Sequence, residues 1–311
     1  MKEKSSDTLK LILKITISLI IIFFIVEYIK SNIATLKDFK FHINYYYLTA
    51  SFTIVLFYIF NQFLLWHYIT KQNGCNLGFC KSISSRAYSE FGKYIPGKVF
   101  GYAMLFYIYS KENKSKALLS FSIFFELLAS TLAAALIFLL SVFITDISEF
   151  RHYRFVALIL LLCFFIIIHP GILNYFSRLF FKIMKREPIK MNISYYQLLK
   201  IILLYSLNFF IFGFAFVLFT KSIYSVSFSD YMFITGATVG AGIIGLFAFF
   251  VPAGLGVREG VMVFMLSFLM PPAMAGIIAL SSRIWLTFAE VFLFGIIYII
   301  LISCIGRRRK N

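Results

Sequence analysis

Val251-Pro252-Ala253-Gly254-Leu255-Gly256-Val257-Arg258-Glu259-Gly260 cuts an apolar stretch, residues 231–270, that would otherwise be long enough to cross a bilayer. Pro252 removes a helix donor and clashes with the preceding turn, and Gly254 and Gly256 lower helix stability. Backbone left unpaired by such a break is tolerated at membrane depth only where protein or a wet cavity covers it. The stretch therefore reads as a broken helical hairpin that enters the membrane, turns and leaves on the same side, with an Arg-Glu pair at its turn. A second break, Gly92-Lys93-Tyr94-Ile95-Pro96-Gly97-Lys98, divides residues 83–109 in the same way, with Pro96 and Gly97 at the turn and Lys98 beside it.

Outward from these breaks, the chain of 311 residues is 61% hydrophobic, 20% aromatic and 14% charged. Too little polar surface remains to cover a soluble globule of that size, which excludes a soluble enzyme, a secreted scaffold and a disordered tail. Six segments are candidates to cross: residues 11–28, 45–68, 117–145, 155–169, 198–220 and 273–304, the fourth being short. The expected fold class is an all-α polytopic membrane protein of six full spans and two re-entrant broken hairpins, in one membrane domain over residues 1–311. Its parts are a first span and outer loop (1–44), repeat one (45–145), a fourth span with a cytoplasmic interfacial helix (146–197), repeat two (198–305) and a basic tail (306–311).

The formal net charge of +17 is not read as a nucleic-acid footprint, because the Lys and Arg fall in short clusters between apolar runs, as membrane topology requires. With both termini inside, 22 of the 30 cations lie on the cytoplasmic side, six lie outside, and Arg258 and Arg283 lie in the membrane region. Residues 172–186 interleave Leu173, Phe176, Leu179, Phe180 and Ile183 with Arg178, Lys182, Lys185 and Arg186, the pattern of a helix lying along the interface. Cys75, Cys80, Cys163 and Cys304 have no metal-ligand spacing, and no cofactor or metal is expected.

The order span, broken hairpin, span occurs twice, over residues 45–145 and 198–304, in opposite orientations under this topology. Interrupted helices in corresponding positions of two inverted halves point to a transport site at their interface. Charged residues within the apolar runs mark the same region. Glu126 lies about 14 Å along its span, on one face with Ser122 and Ser130. Arg283, Thr287 and Glu290 form a second polar stripe on the last span. A carboxylate facing lipid at that depth is costly, so Glu126 must meet protein, water or a ligand. Its partner is open between Arg283 and Lys98, and that of Arg283 between Glu126, Glu259 and Glu290. The candidate substrate-binding set is thus Lys98, Glu126, Arg258, Glu259, Arg283 and Glu290, with the helix N-terminus after the second break as a further place for an anion.

The two breaks together resemble the signatures of the lysylphosphatidylglycerol synthase transmembrane, or flippase-like, family. That family carries an Arg-Tyr-Leu-Pro-Gly-Lys type motif, a Glu-Arg pair in the following span, a Pro-Gly-Gly-Leu-Gly-x-Arg-Glu type motif and a late intramembrane Arg. Glu126 and Arg283 fit the Glu and the late Arg, while Lys93, Ala253 and Leu127 depart from the pattern. Leu127 stands where the family has the Arg of its Glu-Arg pair. No aminoacyl-transferase domain follows the membrane unit before Asn311. The resemblance implies a non-enzymatic, stand-alone translocator in a bacterial inner membrane. It would move a phospholipid, a modified phospholipid or a polyprenyl-phosphate-linked glycan, with membrane lipids and envelope- or glycan-synthesis enzymes as partners. Two alternatives stand beside it: a membrane-embedded transferase on lipid-linked sugar, with Glu126 or Glu259 as general base, and a non-transporting partner of an envelope-glycan complex.

Overall fold

The computed structural model describes residues 43–92, 100–167, 169, 171, 175, 194–248 and 256–308. The first expected span, the interfacial segment and the turns holding Pro96, Gly97, Lys98, Pro252 and Gly254 lie outside the described residues. Everything described is helical or connecting turn: α1 (Tyr45–Gln72), α2 (Phe79–Gly92), α3 (Phe100–Lys111), α4 (Lys116–Ile144), α5 (Ser148–Arg151), α6 (Arg154–Ile167), α7 (Tyr195–Ile223), a 3-10 turn (Phe228–Asp230), α8 (Tyr231–Phe247), α9 (Val257–Leu266) and α10 (Pro272–Arg308).

Helices α1, α4, α7 and α10 match four of the six expected spans and are long and apolar enough to cross a membrane. Residues 228–247, comprising the 3-10 turn and α8, qualify by the same measure, so the first arm of the second hairpin is itself of spanning length. The fourth expected span corresponds to helix α6, which has 14 residues and is apolar after Arg154 but shorter than the helices above. The chain is a multi-pass membrane protein, and its surface agrees: Phe57, Leu203, Phe264, Ile284 and Phe288 are each more than half exposed, as side chains facing lipid tails would be.

Local sequence sets the helix ends. The Asn44 side chain accepts from the amides of Tyr46 and Tyr47 at the start of α1, and Ser115 accepts from Leu118 at the start of α4. In the first hairpin, α2 and α3 run for 14 and 12 residues, about 21 and 18 Å, less than the roughly 30 Å of a hydrocarbon core. Their open ends are tied by Lys81 to Glu112 at 2.8 Å. Their tips meet at Gly92 and Gly101, where a Cβ on Gly92 would stand 2.4 Å from the Gly101 amide nitrogen and one on Gly101 would stand 2.6 Å from the Ser89 carbonyl. Only glycine lets the two backbones approach so closely. In the second hairpin α9 has only ten residues, about 15 Å, against 17 in α8.

The glycine-rich run in α8 is a packing surface, as its apolar setting suggests: Gly236 lies against Ser141 and Gly240 against the Phe138 ring of α4. The main core gathers α1, α7 and α10, with Trp285 stacked on Phe219 at 4.9 Å between ring centres. Helices α1 and α7 are antiparallel neighbours, and the Asn44 amide donates to the Ser222 carbonyl at 2.9 Å where one begins and the other ends.

The packing follows a pattern. α1 packs on α10 and α4 on α7; α2 packs on α10 and α4 on α8; α1 packs on α4 and α7 on α10. Exchanging α1, α2, α3 and α4 for α7, α8, α9 and α10 turns each of these pairings into another that is present.

Candidate functional site

Helix α4 buries Glu126, which is 6% exposed, on the face that also buries Ser122. Of the two partners expected from the sequence, Arg283 pairs elsewhere and Lys98 lies outside the described residues. Arg86 of α2 reaches the carboxylate, its Nη2 lying 3.0 Å from Glu126 Oε1 and 3.2 Å from Glu90 Oε1 one turn along the same helix. The Tyr205 hydroxyl of α7 donates to Glu126 Oε1 at 3.2 Å, and the Arg86 guanidinium lies over the Trp66 ring of α1 at 5.3 Å. Four helices thus converge on one buried guanidinium.

Leu127, where the family pattern has an Arg, is 40% exposed. The guanidinium that meets Glu126 comes from α2. Arg86, counted from the sequence with the cytoplasmic loop cations, is thus buried among the helices. Sequence reasoning missed it and Glu90 because both sit in a stretch rich in serine. The i, i+4 spacing of Arg86 and Glu90 ahead of the Pro96 break was the available signal.

The second cluster forms where α9 starts. Gly256 adopts φ +82°, a left-handed conformation that favours glycine, and turns the chain into α9. Glu259, 4% exposed, folds back so that its Oε2 accepts from the Gly256 amide at 2.6 Å, while Oε1 accepts from Arg283 Nη1 of α10. This caps the helix with the protein's own carboxylate. The anion expected at that N-terminus is therefore already present as Glu259, and Arg283 takes Glu259 rather than Glu126 as its partner.

Arg258 stands apart. Among the described residues it takes part in no ion pair, although Glu259 and Glu290 act on it through space. It lines a cavity of about 240 Å³ with Tyr58 and Gln62 of α1, Glu90 of α2 and Glu290 of α10. Ile59, Phe63, Leu286 and Phe294 supply apolar wall. Gln62 Nε2 donates to the Tyr58 hydroxyl at 2.9 Å, and the Tyr58 ring packs on Phe212 at 4.7 Å, which fixes that wall. Glu90 belongs both to this lining and to the Arg86 cluster, so the two charged groups adjoin through one carboxylate.

Of the six substrate-binding candidates, the structure brings Arg258 and Glu290 to the cavity. It places Glu259 and Arg283 in the pair beneath the α9 turn and Glu126 in the Arg86 pair; Lys98 lies outside the described residues. Of the break residues Pro96, Gly97, Pro252, Gly254 and Gly256, only Gly256 is among the described residues. The arrangement can hold an anionic group at Arg258 and a cationic or hydroxylated group at the carboxylates.

The family model for the lysylphosphatidylglycerol synthase TM region matches residues 11–303, nearly the whole chain. The chain belongs to this family. No curated protein matches it. The matched region is the family's membrane region, in agreement with the apolar helices described above.

Proposed function

We propose that this family member is a lipid translocator that carries the polar head of a phosphate-bearing amphiphile between leaflets while the tails stay in lipid. The observation that carries the reading is the composition of the cavity wall: α1 and α2 from the first half, α9 and α10 from the second, with Arg258 facing in at a helix break. A phospholipid, a modified phospholipid and a polyprenyl-phosphate-linked glycan share a phosphate, and Arg258 is the group to meet it. Glu90 and Glu290 would discriminate among head groups by what they carry beyond the phosphate.

The architecture in this reading is an inverted repeat of α1–α4 and α7–α10 with two re-entrant hairpins. It is supported by the matched packing pairs, the antiparallel α1 and α7, and the short arms α2, α3 and α9. Both termini would face the cytoplasm of a bacterial cell and the membrane would be its inner one. Envelope- or glycan-synthesis enzymes would make or use the amphiphile. A transferase would need Glu126 or Glu259 as general base, and both are engaged by guanidinium groups, Arg86 and Arg283.

The test is reconstitution into liposomes with head-group-labelled reporters of each class, followed by chemical quenching of the outer leaflet. Accelerated exchange of at least one phosphate-bearing reporter over protein-free liposomes is expected. No acceleration of any reporter would refute the proposal.

A further inference from the structure

The face of α1 turned away from the cavity forms, with α7, an open groove of about 480 Å³. Its wall is an apolar stripe of Leu64 from α1 and Leu204, Leu207 and Ile211 from α7, with Leu207 half exposed. At its floor the Asn208 amide donates to the Tyr58 carbonyl at 3.4 Å, so groove and cavity lie on opposite sides of α1.

One end of the groove is cationic. Lys71 lines it on the last turn of α1, and Lys200, one turn before Leu204 on α7, places its Nζ 5.2 Å from the Tyr68 ring. The antiparallel packing of α1 and α7 puts Lys200 against Tyr68, a lining residue one turn from Lys71. His67 lies at the same end, with a buried Nδ1 that has no hydrogen-bond partner among the described residues. Among the described residues, no carboxylate lines the groove. An apolar channel along a membrane-spanning pair, with two ammonium groups at one end, has the polarity of a phospholipid with an anionic head group.

We propose that this groove is a binding site for one anionic phospholipid of the leaflet on the Lys71 side, separate from the translocation cavity. Its phosphate lies at the Lys71 and Lys200 end, and one acyl chain runs along Leu204, Leu207 and Ile211. The site rests on the membrane assignment and not on translocation.

The experiment uses the full chain in nanodiscs containing phosphatidylglycerol or phosphatidylcholine that carries the same photoactivatable acyl chain, with labelled positions mapped by peptide sequencing. Labelling of the Leu204 to Ile211 stripe by phosphatidylglycerol should exceed that by phosphatidylcholine by on the order of tenfold, as two lysines near the membrane surface would give. The preference should vanish in the Lys71→Gln, Lys200→Gln double variant and persist in Lys71→Arg, Lys200→Arg, which keeps both charges. Leu207→Trp should block labelling of the stripe by both lipids while labelling near Phe288 on α10 is unchanged. Equal labelling by the two lipids, a preference that survives loss of both lysines, or a stripe that neither lipid reaches would each overturn the proposal.

Discussion

Arg86 is bonded to two carboxylates, so the consequence of a mutation there depends on which member is removed. Replacing Arg86 with Gln takes the guanidinium from Glu126 and Glu90 at once, whereas Glu126→Gln leaves Arg86 with Glu90. Breaking a buried pair commonly costs about 3 to 5 kcal/mol. Arg86→Gln should sit at the upper end of that range and Glu126→Gln at or below the lower end, as measured by thermal unfolding in detergent. A double-mutant cycle should give a coupling energy of about 1 kcal/mol or more for Arg86 with Glu126 and near zero for Glu126 with Arg283. A substantial second coupling would contradict the pairing. The α9 start offers a like contrast. Glu259→Ala removes a helix cap and the partner of Arg283 together, so it should lower the unfolding temperature, while Arg258→Ala should leave that temperature nearly unchanged. That membrane charges existed was legible from Glu126 and Arg283 standing in apolar runs. Who pairs with whom was not, because Arg86 reaches Glu126 from a helix 40 positions earlier and sequence spacing carries no distance across helices.

At the scale of elements, the breaks in the apolar runs were legible because Pro and Gly punctuate them, and the helices flanking each break, α2 with α3 and α8 with α9, are packed pairs in the structure. What the sequence did not reveal is their inequality: α8 is long enough to span and α9 is far too short, since an apolar run shows where a helix can lie but not where its turn forms. The first hairpin depends on the contact of Gly92 with Gly101. Gly92→Ala and Gly101→Ala each push a methyl into backbone and should destabilise by about 1 to 3 kcal/mol. Gly242→Ala in α8 meets nothing within 4 Å and should raise stability by up to about 1 kcal/mol through helix propensity. If all three behave alike in thermal unfolding, close approach is not what the first hairpin glycines provide.

For the whole molecule, the proposed orientation with both termini inside rests on the distribution of Lys and Arg along the sequence. Single cysteines at Lys111 should then label only from the cytoplasmic side, and at Lys37 and Asp146 only from the outer side; the reverse pattern would invert the topology. The central claim, that the cavity between the halves receives the head group at Arg258, is tested most directly by the leaflet-exchange rate of Arg258→Gln in proteoliposomes, measured beside the wild-type protein and with the unfolding temperature of both. The account predicts loss of nearly all protein-dependent exchange at an unchanged unfolding temperature. Wild-type exchange by a fully inserted Arg258→Gln protein, or a loss of exchange that merely follows a loss of stability, would contradict it.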